Sequence, residues 1–235
     1  MERLDKFLAS QLAQSRTGVR EYLKQGRIKV NGAVQKKYDF KIDPSADSAE
    51  LDGEAVVYRK FIYIMLNKPS GVLCSTEEGS TPTVMDLIPP GLYRKNMFPA
   101  GRLDKDTEGF VLITDDGVFC HKIISPKKDI LKTYYAIIDS PITAENLDIL
   151  MGATISLDGK PVRPAIFSIS DAEKNEIKVQ ISEGRYHQVK RMFEAVGHQV
   201  VFLKRTAIGG LELDTTLEAG QCREISKNEL TVVLS

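Results

Sequence analysis

The sequence lacks tryptophan altogether, and it has only three cysteines and three histidines among its 235 residues. Cys74, Cys120 and Cys222 lie far apart, so their spacing matches neither a disulfide framework nor a metal knuckle. The histidines are equally scattered. These scarcities argue against a metal site and suggest free thiols in a reducing compartment.

Long apolar stretches are also missing, and runs of only a few residues are too short to span a bilayer. Residues 1–6 are charged and do not form the apolar core of a signal peptide. At 42% apolar and 27% charged residues, the composition is that of an ordinary globular protein. We therefore expect a cytoplasmic protein that makes no contact with a membrane.

Net charge is absent overall, but the charge is unevenly distributed. Residues 1–42 carry ten Lys or Arg against four Asp or Glu, and the rest of the chain carries 22 against 28. A basic end on a neutral chain is typical of a segment that binds a polyanion.

The first quarter of the chain has a helix, helix, hairpin pattern. Apolar residues at helical spacing predict a helix over residues 3–13. Ser15 is placed to cap a second helix and Gly26 to end it. Residues 28–30 alternate as a strand, and Asn31-Gly32 is a strong hairpin-turn signal.

A basic stripe follows the second helix, because Arg16, Arg20 and Lys24 recur every four residues. Such a stripe is either a solvated face or a surface that binds phosphates. Arg27 and Lys29 continue it without acidic interruption, so the two interpretations stand about even.

This layout resembles the S4 RNA-binding domain. The resemblance lies in Arg3 to Ala9, in Ser15-Arg16 and in Gly26 to Gly32. It implies a small S4-like domain over residues 1–58, with RNA contacts from the basic residues Arg16, Arg20, Lys24, Arg27 and Lys29.

The remainder of the chain changes character at Phe61, where apolar strands begin. The pattern predicts strands at 61–66, 110–114, 133–138, 164–170, 176–181 and 199–204, and helices at 83–88, 117–124, 143–151 and 186–196. Strands and helices that interleave without a repeated crossover unit favour an α+β fold with a mixed, mainly antiparallel sheet flanked by helices.

Residues 101–109 form a glycine-bounded, highly charged segment that runs into the apolar residues 110–113. Loops held by a rigid strand often carry functional groups. The acidic candidates are Asp104, Asp106, Glu108, Asp115 and Asp116. Asp115 and Asp116 are typical of a turn or helix N-cap, and Asp106 and Glu108 of solvated positions. Spacing alone does not single out Asp104.

A second charged cluster spans residues 183–194. Read as a helix from Tyr186, it has one apolar face, whereas His187, Lys190, Arg191 and Glu194 share another face. The helix is either an ordinary surface helix or one that points a cation at a carboxylate, and periodicity does not decide between them.

Jointly, four segments resemble the motifs of pseudouridine synthases of the RsuA branch. They are Asn67 to Val72, Gly101-Arg102-Leu103-Asp104 with Thr107-Glu108-Gly109, Lys132-Thr133-Tyr134, and Glu183 to Phe193. With the S4-like front, the resemblance covers nearly the whole chain and implies a catalytic domain over residues 59–235.

The resemblance also implies roles. Asp104 would be the catalytic carboxylate, Tyr134 would stack on the target base, and Lys190 would pair with Asp104. Arg102 would fill the gap left by the extruded uridine, and Gly101 and Gly109 would let the loop approach RNA closely. Arg185, His187 and Gln188 would contact the substrate. No cofactor, metal or nucleotide is needed.

The expected substrate is a uridine of small-subunit (16S) rRNA within an assembly intermediate, modified by a monomer. A large-subunit (23S) rRNA enzyme of the same family and a non-catalytic rRNA-binding assembly protein remain alternatives. A hydrolase that pairs Asp104 with Asp106 or Glu108 is disfavoured, because carbohydrate grooves are usually rich in tryptophan.

Overall fold

The computed structural model describes residues 1–77, 79–152, 154–173 and 175–234. The chain divides into two compact units, one of Met1–Ile62 with Ile88–Met97 and one of Tyr63–Leu87 with Phe98–Ser235. The first unit thus extends beyond the expected boundary at residue 58 and takes in a segment from the range 59–235. Arg94 explains this, because its guanidinium donates to Gln11 Oε1 at 2.7 Å and to the Arg59 carbonyl at 2.9 Å.

The first unit packs two helices on short strands. Its elements are β1 (Glu2–Arg3), α1 (Leu4–Gln11), α2 (Arg16–Lys24), β2 (Ile28–Val30), β3 (Ala33–Val34), β4 (Lys41–Ile42), β5 (Ala49–Leu51) and β6 (Glu54–Ala55). The strands form a sheet of order β3-β2-β5-β6 and a separate β1-β4 pair. The core consists of the buried apolar residues of both helices and of the strands.

Local signals in this unit act as the sequence predicts. Ser15 Oγ accepts a hydrogen bond from Gly18 N at 3.0 Å and so caps α2. Asn31 and Gly32 both have positive φ, 50° and 78°, and form the tight turn between β2 and β3. The first helix is shorter than the predicted 3–13, since it ends at Gln11 and Ala13 has a φ of 53°.

The second unit is built on a nine-stranded sheet. Its strands are β7 (Tyr63–Lys68), β8 (Phe98–Pro99), β9 (Glu108–Thr114), β10 (Lys132–Ile138), β13 (Ile166–Asp171), β14 (Glu176–Ile181), β15 (Val200–Ile208), β16 (Leu211–Glu212) and β17 (Cys222–Glu224), with β11 (Ser156–Leu157) and β12 (Lys160–Pro161) as a separate hairpin. Its helices are α3 (Gly117–Ile124), α4 (Ala144–Met151), α5 (Gln188–Glu194) and α6 (Lys227–Val233), with a 3-10 turn at Pro126–Lys128.

The main path of the sheet is β13-β14-β10-β15-β9-β7-β17, with β16 beside β15 and β8 beside β9. Every pairing is antiparallel except that between β9 and β15, which is parallel. The predicted α+β class with a mixed, mainly antiparallel sheet is confirmed. The central pair positions the site, because β9 follows the charged segment and β15 lies beside it.

Several predicted elements of the second unit differ from the observed ones. The helix predicted at 83–88 is wrong, because Asp86 Oδ2 accepts from both the backbone nitrogen and the hydroxyl of Thr83, at 2.7 and 3.0 Å, and folds the segment into turns. The helix predicted from residue 186 begins at Gln188, since His187 has a left-handed φ of 50°. The strand predicted to end at residue 204 continues to Ile208.

Asp116 is structural, as the sequence predicts. Its carboxylate caps α3 by accepting from Val118 N and Phe119 N, both at 3.0 Å, and the Tyr63 hydroxyl donates to it at 2.7 Å. Within the described ranges, the helices are all too short or too polar to cross a bilayer.

Candidate active site

One buried lysine, Lys68, at the end of β7, fixes the charged segment 101–109. Lys68 is completely buried, and its Nζ donates to the carbonyls of Pro69 at 3.0 Å, Lys105 at 3.0 Å and Thr107 at 2.8 Å. Burial lowers the pKa of Lys68. One ammonium therefore fixes the loop that carries Asp104, a role that spacing did not assign. In the sequence, the one signal for this role is a lysine near the end of an apolar strand.

Gly109 fixes the C-terminal end of this segment. Its φ is +97°, and a Cβ there would overlap the carbonyl oxygen of Arg205 and lie 2.9 Å from the Arg205 nitrogen. The Arg205 side chain is buried and donates from Nε to the Phe110 carbonyl at 2.7 Å. Gly109 is thus needed for the close approach of β9 and β15, whereas its expected part in the approach to RNA stays a prediction.

One pocket in the second unit brings together every residue of that unit that the sequence singled out as a site residue. Its lining includes Arg102, Asp104, Tyr134, Arg185, His187, Gln188 and Lys190, together with Leu103, Thr107, Ile181, Gly184, Val189 and Leu203. The motifs are up to 88 residues apart in the chain, from Arg102 to Lys190, and the β9–β15 pairing and α5 bring them to one place. A pocket with a few convergent polar groups is the expected form of a small-ligand site.

Two basic side chains lie close to Asp104. Lys190 Nζ lies 3.7 Å from Asp104 Oδ2, and His187 Nε2 lies 3.5 Å from Asp104 Oδ1. The shorter bonds of Lys190 go to Asp106, at 2.6 and 2.8 Å, and they hold the pKa of Asp106 below its ordinary value. Asp106 is 70% exposed, as expected for a solvated position, but the sequence did not predict its pairing with Lys190.

Tyr134 lies in β10 and is only 7% exposed. It pairs with Val179 on one side and with Arg205 on the other, next to a bulge between Thr133 and Tyr134. Tyr134 is one of the residues that line the pocket.

Arg185 and Gln188 are engaged by the protein itself. Gln188 accepts from Arg185 N at 3.0 Å and donates to Glu183 Oε1 at 2.9 Å. The Arg185 guanidinium donates to the carbonyls of Lys160 at 2.9 Å and Pro161 at 2.6 Å. Both residues therefore shape the pocket, and Glu183, which is buried, is a member of this network that sequence reasoning missed.

The start of α5 presents an aromatic pair. The rings of Tyr186 and His187 stack with centroids 3.8 Å apart and an interplanar angle of 17°. Tyr186 is 75% exposed, whereas His187 faces Asp104.

The basic residues of the first unit fall into two groups. Arg16 and Arg20 donate to Asp5, each at 2.9 Å. Arg27 pairs with Asp52 and lies over the ring of Tyr22 at 4.4 Å. Lys24 and Lys29 are exposed. The stripe is thus partly paired within the protein rather than uniformly solvated.

Over the described part of the chain, no three or more side chains of His, Cys, Asp and Glu are grouped so that they would hold a metal ion.

Comparison with known proteins gives two family matches. Residues 62–195 match the RNA pseudouridylate synthase family, and residues 2–47 match the S4 domain. The first match contains the whole pocket except Leu203.

Full-length relatives agree with these matches. The chain is 43% identical to an uncharacterized RNA pseudouridine synthase, YtzG, of Bacillus subtilis (strain 168), over 97% of this chain and 96% of that protein. It is 38% identical to ribosomal small subunit pseudouridine synthase A of Escherichia coli (strain K12), over 99% and 100% of the two chains. A crystal structure of a pseudouridylate synthase superposes with a TM-score of 0.68 at 35% identity, over 99% of this chain and 100% of that one.

Proposed function

Because the chain belongs to the RNA pseudouridylate synthase family, we propose that it converts one uridine of small-subunit (16S) rRNA to pseudouridine with Asp104 as the reacting carboxylate. One observation carries the assignment of Asp104: it is the carboxylate that shares a pocket with Tyr134 and lies within 4 Å of both Lys190 and His187. The small subunit is proposed from the printed name of the Escherichia coli relative, which matches over its full length.

The reaction sets three requirements. The N-glycosidic bond of the uridine breaks, the freed uracil rotates, and the ring rejoins the ribose through carbon. The base must first leave its stack, because a base within a duplex is out of reach. The detached uracil must then be kept from solvent until it rejoins, which calls for a closed pocket.

The pocket residues have a part in each requirement. Asp104 would act on the ribose or on the uracil ring, and Lys190 and His187 lie beside its two carboxylate oxygens. The ring of Tyr134 would hold the flipped base against the pocket wall. Arg102, which is exposed at the pocket, would occupy the gap in the RNA stack.

The first unit would supply RNA affinity. Arg16, Arg20, Lys24, Arg27 and Lys29 are its proposed phosphate contacts, and binding should therefore weaken steeply with salt, because each contact releases counterions. The proposed substrate is rRNA in a small-subunit assembly intermediate, bound by one copy of the chain.

The test is pseudouridine mapping on rRNA from cells that lack the protein, complemented with wild type, Asp104→Asn or Glu108→Gln. Wild type and Glu108→Gln, which removes a carboxylate from the same segment, should restore one 16S pseudouridine. Asp104→Asn should not restore it although it still binds RNA.

Each contrary result would overturn a different part of the proposed function. Restoration by Asp104→Asn would overturn the assigned carboxylate. A restored site in 23S rRNA would overturn the small-subunit substrate. If wild-type protein modifies neither naked rRNA nor assembly intermediates, the chain is an RNA-binding protein without this activity.

A further inference from the structure

A completely buried carboxylate, Asp5, lies at the centre of three arginines in the first unit. Asp5 is 0% exposed. Arg3 donates to it from Nε and Nη2, both at 3.1 Å, Arg16 from Nη2 at 2.9 Å, and Arg20 from Nε and Nη2 at 3.2 and 2.9 Å. We call Asp5, Arg3, Arg16 and Arg20 the Asp5 cluster. Burial alone would raise the pKa of Asp5, but these hydrogen bonds outweigh burial and hold the pKa well below its usual range.

The three arginines bind Asp5, but their side chains remain partly exposed to solvent. Their side chains remain 36%, 50% and 45% exposed for Arg3, Arg16 and Arg20. The ring of Tyr38 lies 5.4 Å from the guanidinium carbon of Arg3 and 4.6 Å from that of Arg20. Carboxylate and ring together therefore restrict where these guanidinium groups point.

Some N–H donors of these three arginines have no partner in the part of the chain that the structure describes. A guanidinium has five N–H donors in a planar fork. Among the contacts of the described residues, none uses Nη1 of Arg3, Arg16 or Arg20, or Nε of Arg16. Three cations around one anion also leave two positive charges in excess. Forked donors with excess positive charge are suited to the oxygens of a phosphate.

A purely structural role for the Asp5 cluster does not explain why three arginines surround one carboxylate. A buried carboxylate needs one well-placed cation to be paired, and further cations around it repel one another. Arg27 offers the contrast within the same unit, since it forms a one-to-one pair with Asp52 that leaves no excess charge.

We propose that Asp5 is a positioning residue that holds Arg3, Arg16 and Arg20 as a single binding site for an RNA phosphate. The proposal rests on the proposed function, in which the first unit binds rRNA. It adds Arg3 to the RNA contacts and makes their geometry, rather than their charge alone, the source of affinity.

Asp5→Asn separates geometry from charge by the sign of its effect. The substitution adds one net positive charge, so charge alone predicts tighter RNA binding. Loss of the carboxylate releases the guanidinium groups, so positioning predicts weaker binding, by about tenfold in Kd, or ~1.4 kcal/mol. The probe is a small-subunit rRNA transcript, titrated with full-length protein at several salt concentrations.

A second variant covers the case in which Asp5→Asn does not fold, which circular dichroism will reveal. Arg16→Lys with Arg20→Lys keeps every charge but removes the forks, and it should weaken binding by about tenfold. The matched control, Arg163→Lys, changes an arginine that pairs with Asp129 in the second unit and is not among the proposed RNA contacts. It should alter Kd by less than about twofold.

The outcomes are separable from those of the proposed function, because pseudouridine formation is measured on the same samples. Binding by folded Asp5→Asn that equals or exceeds wild type would overturn the proposal, as would equal losses in the double lysine variant and in Arg163→Lys. If wild type binds RNA but forms no pseudouridine, the proposed function fails while the selective loss of binding still supports the Asp5 cluster.

Discussion

Lys190 donates both of its short hydrogen bonds to Asp106, at 2.6 and 2.8 Å, although it also lies 3.7 Å from Asp104. One ammonium is thus shared by two carboxylates two residues apart. Asp106 is the closer of the two and is the carboxylate that holds this ammonium in place.

Lys190→Met should raise the pKa of Asp106. The hydrogen bond from Lys190 lowers that pKa in the folded protein, so the pair stabilises the fold above the ordinary carboxyl range, and this stabilisation is lost as pH falls through the lowered pKa. Carboxyl-carbon NMR titration of Asp106 in wild type and Lys190→Met measures the change directly. Lys105→Met, a substitution of an exposed lysine in the same segment, is the control. Equal titration in wild type and Lys190→Met would contradict the pairing.

Lys68→Met should impair both stability and turnover. Methionine keeps the apolar stem but leaves three carbonyls without the ammonium that now binds them. Loss of a buried donor costs about 1–3 kcal/mol for each group left unpaired, so we expect a loss of at least about 2 kcal/mol by urea unfolding.

The same variant tests the link from Lys68 to Asp104. At temperatures where Lys68→Met stays folded, kcat should fall by more than KM rises, because a looser loop misplaces Asp104. Cleavage within residues 101–107 by limited proteolysis should become faster than in Lys105→Met. Full turnover together with unchanged cleavage would separate Lys68 from the loop.

Much of the fold follows from local patterns. The Ser15 cap and the Asn31-Gly32 turn act within a few residues, so the sequence predicts them directly. The segment 83–88 is different, because its apolar spacing suits a helix while a contact between Thr83 and Asp86 folds it into turns. The spacing of apolar residues does not show whether one such side-chain hydrogen bond is more stabilising than a short helix.

The site is predictable as a set of residues but not as a set of contacts. Resemblance identified Asp104 and Lys190, and the pocket brings them together. A helix face indicates the direction of Lys190, yet it does not decide between carboxylates that lie two residues apart. Similarly, the charge stripe identifies Arg16 and Arg20, whereas their shared partner Asp5 becomes apparent only once α1 and α2 pack together.

Tyr186→Ala should weaken substrate binding while leaving the chemical step largely intact. The ring is 75% exposed, stacks on His187 and stands beside the pocket, so a nucleobase can stack on its free face. Such stacking is worth about 1–3 kcal/mol per base, and we expect KM to rise about tenfold with a small change in kcat.

Tyr186→Phe is the matched variant, since it keeps the ring and removes only the hydroxyl. It should retain wild-type KM in the same assay. A loss in Tyr186→Phe as large as that in Tyr186→Ala would assign the effect to the hydroxyl rather than to stacking.

Gly109→Ala should destabilise the second unit more than a comparable change at any open glycine with positive φ. A Cβ at residue 109 would overlap the carbonyl oxygen of Arg205, whereas a Cβ at Gly71, which has a similar φ of +86°, would meet nothing within 4 Å. Gly71→Ala therefore measures the backbone cost alone, about 1–2 kcal/mol. Gly109→Ala adds a clash between β9 and β15, and we expect it to lose at least about 3 kcal/mol in urea unfolding. Because β9 joins the Asp104 loop to the sheet, the clash should also lower kcat in whatever folded fraction remains. Equal losses in the two variants would mean that the parallel pair tolerates a side chain at residue 109, and the glycine would then be required by its backbone conformation alone.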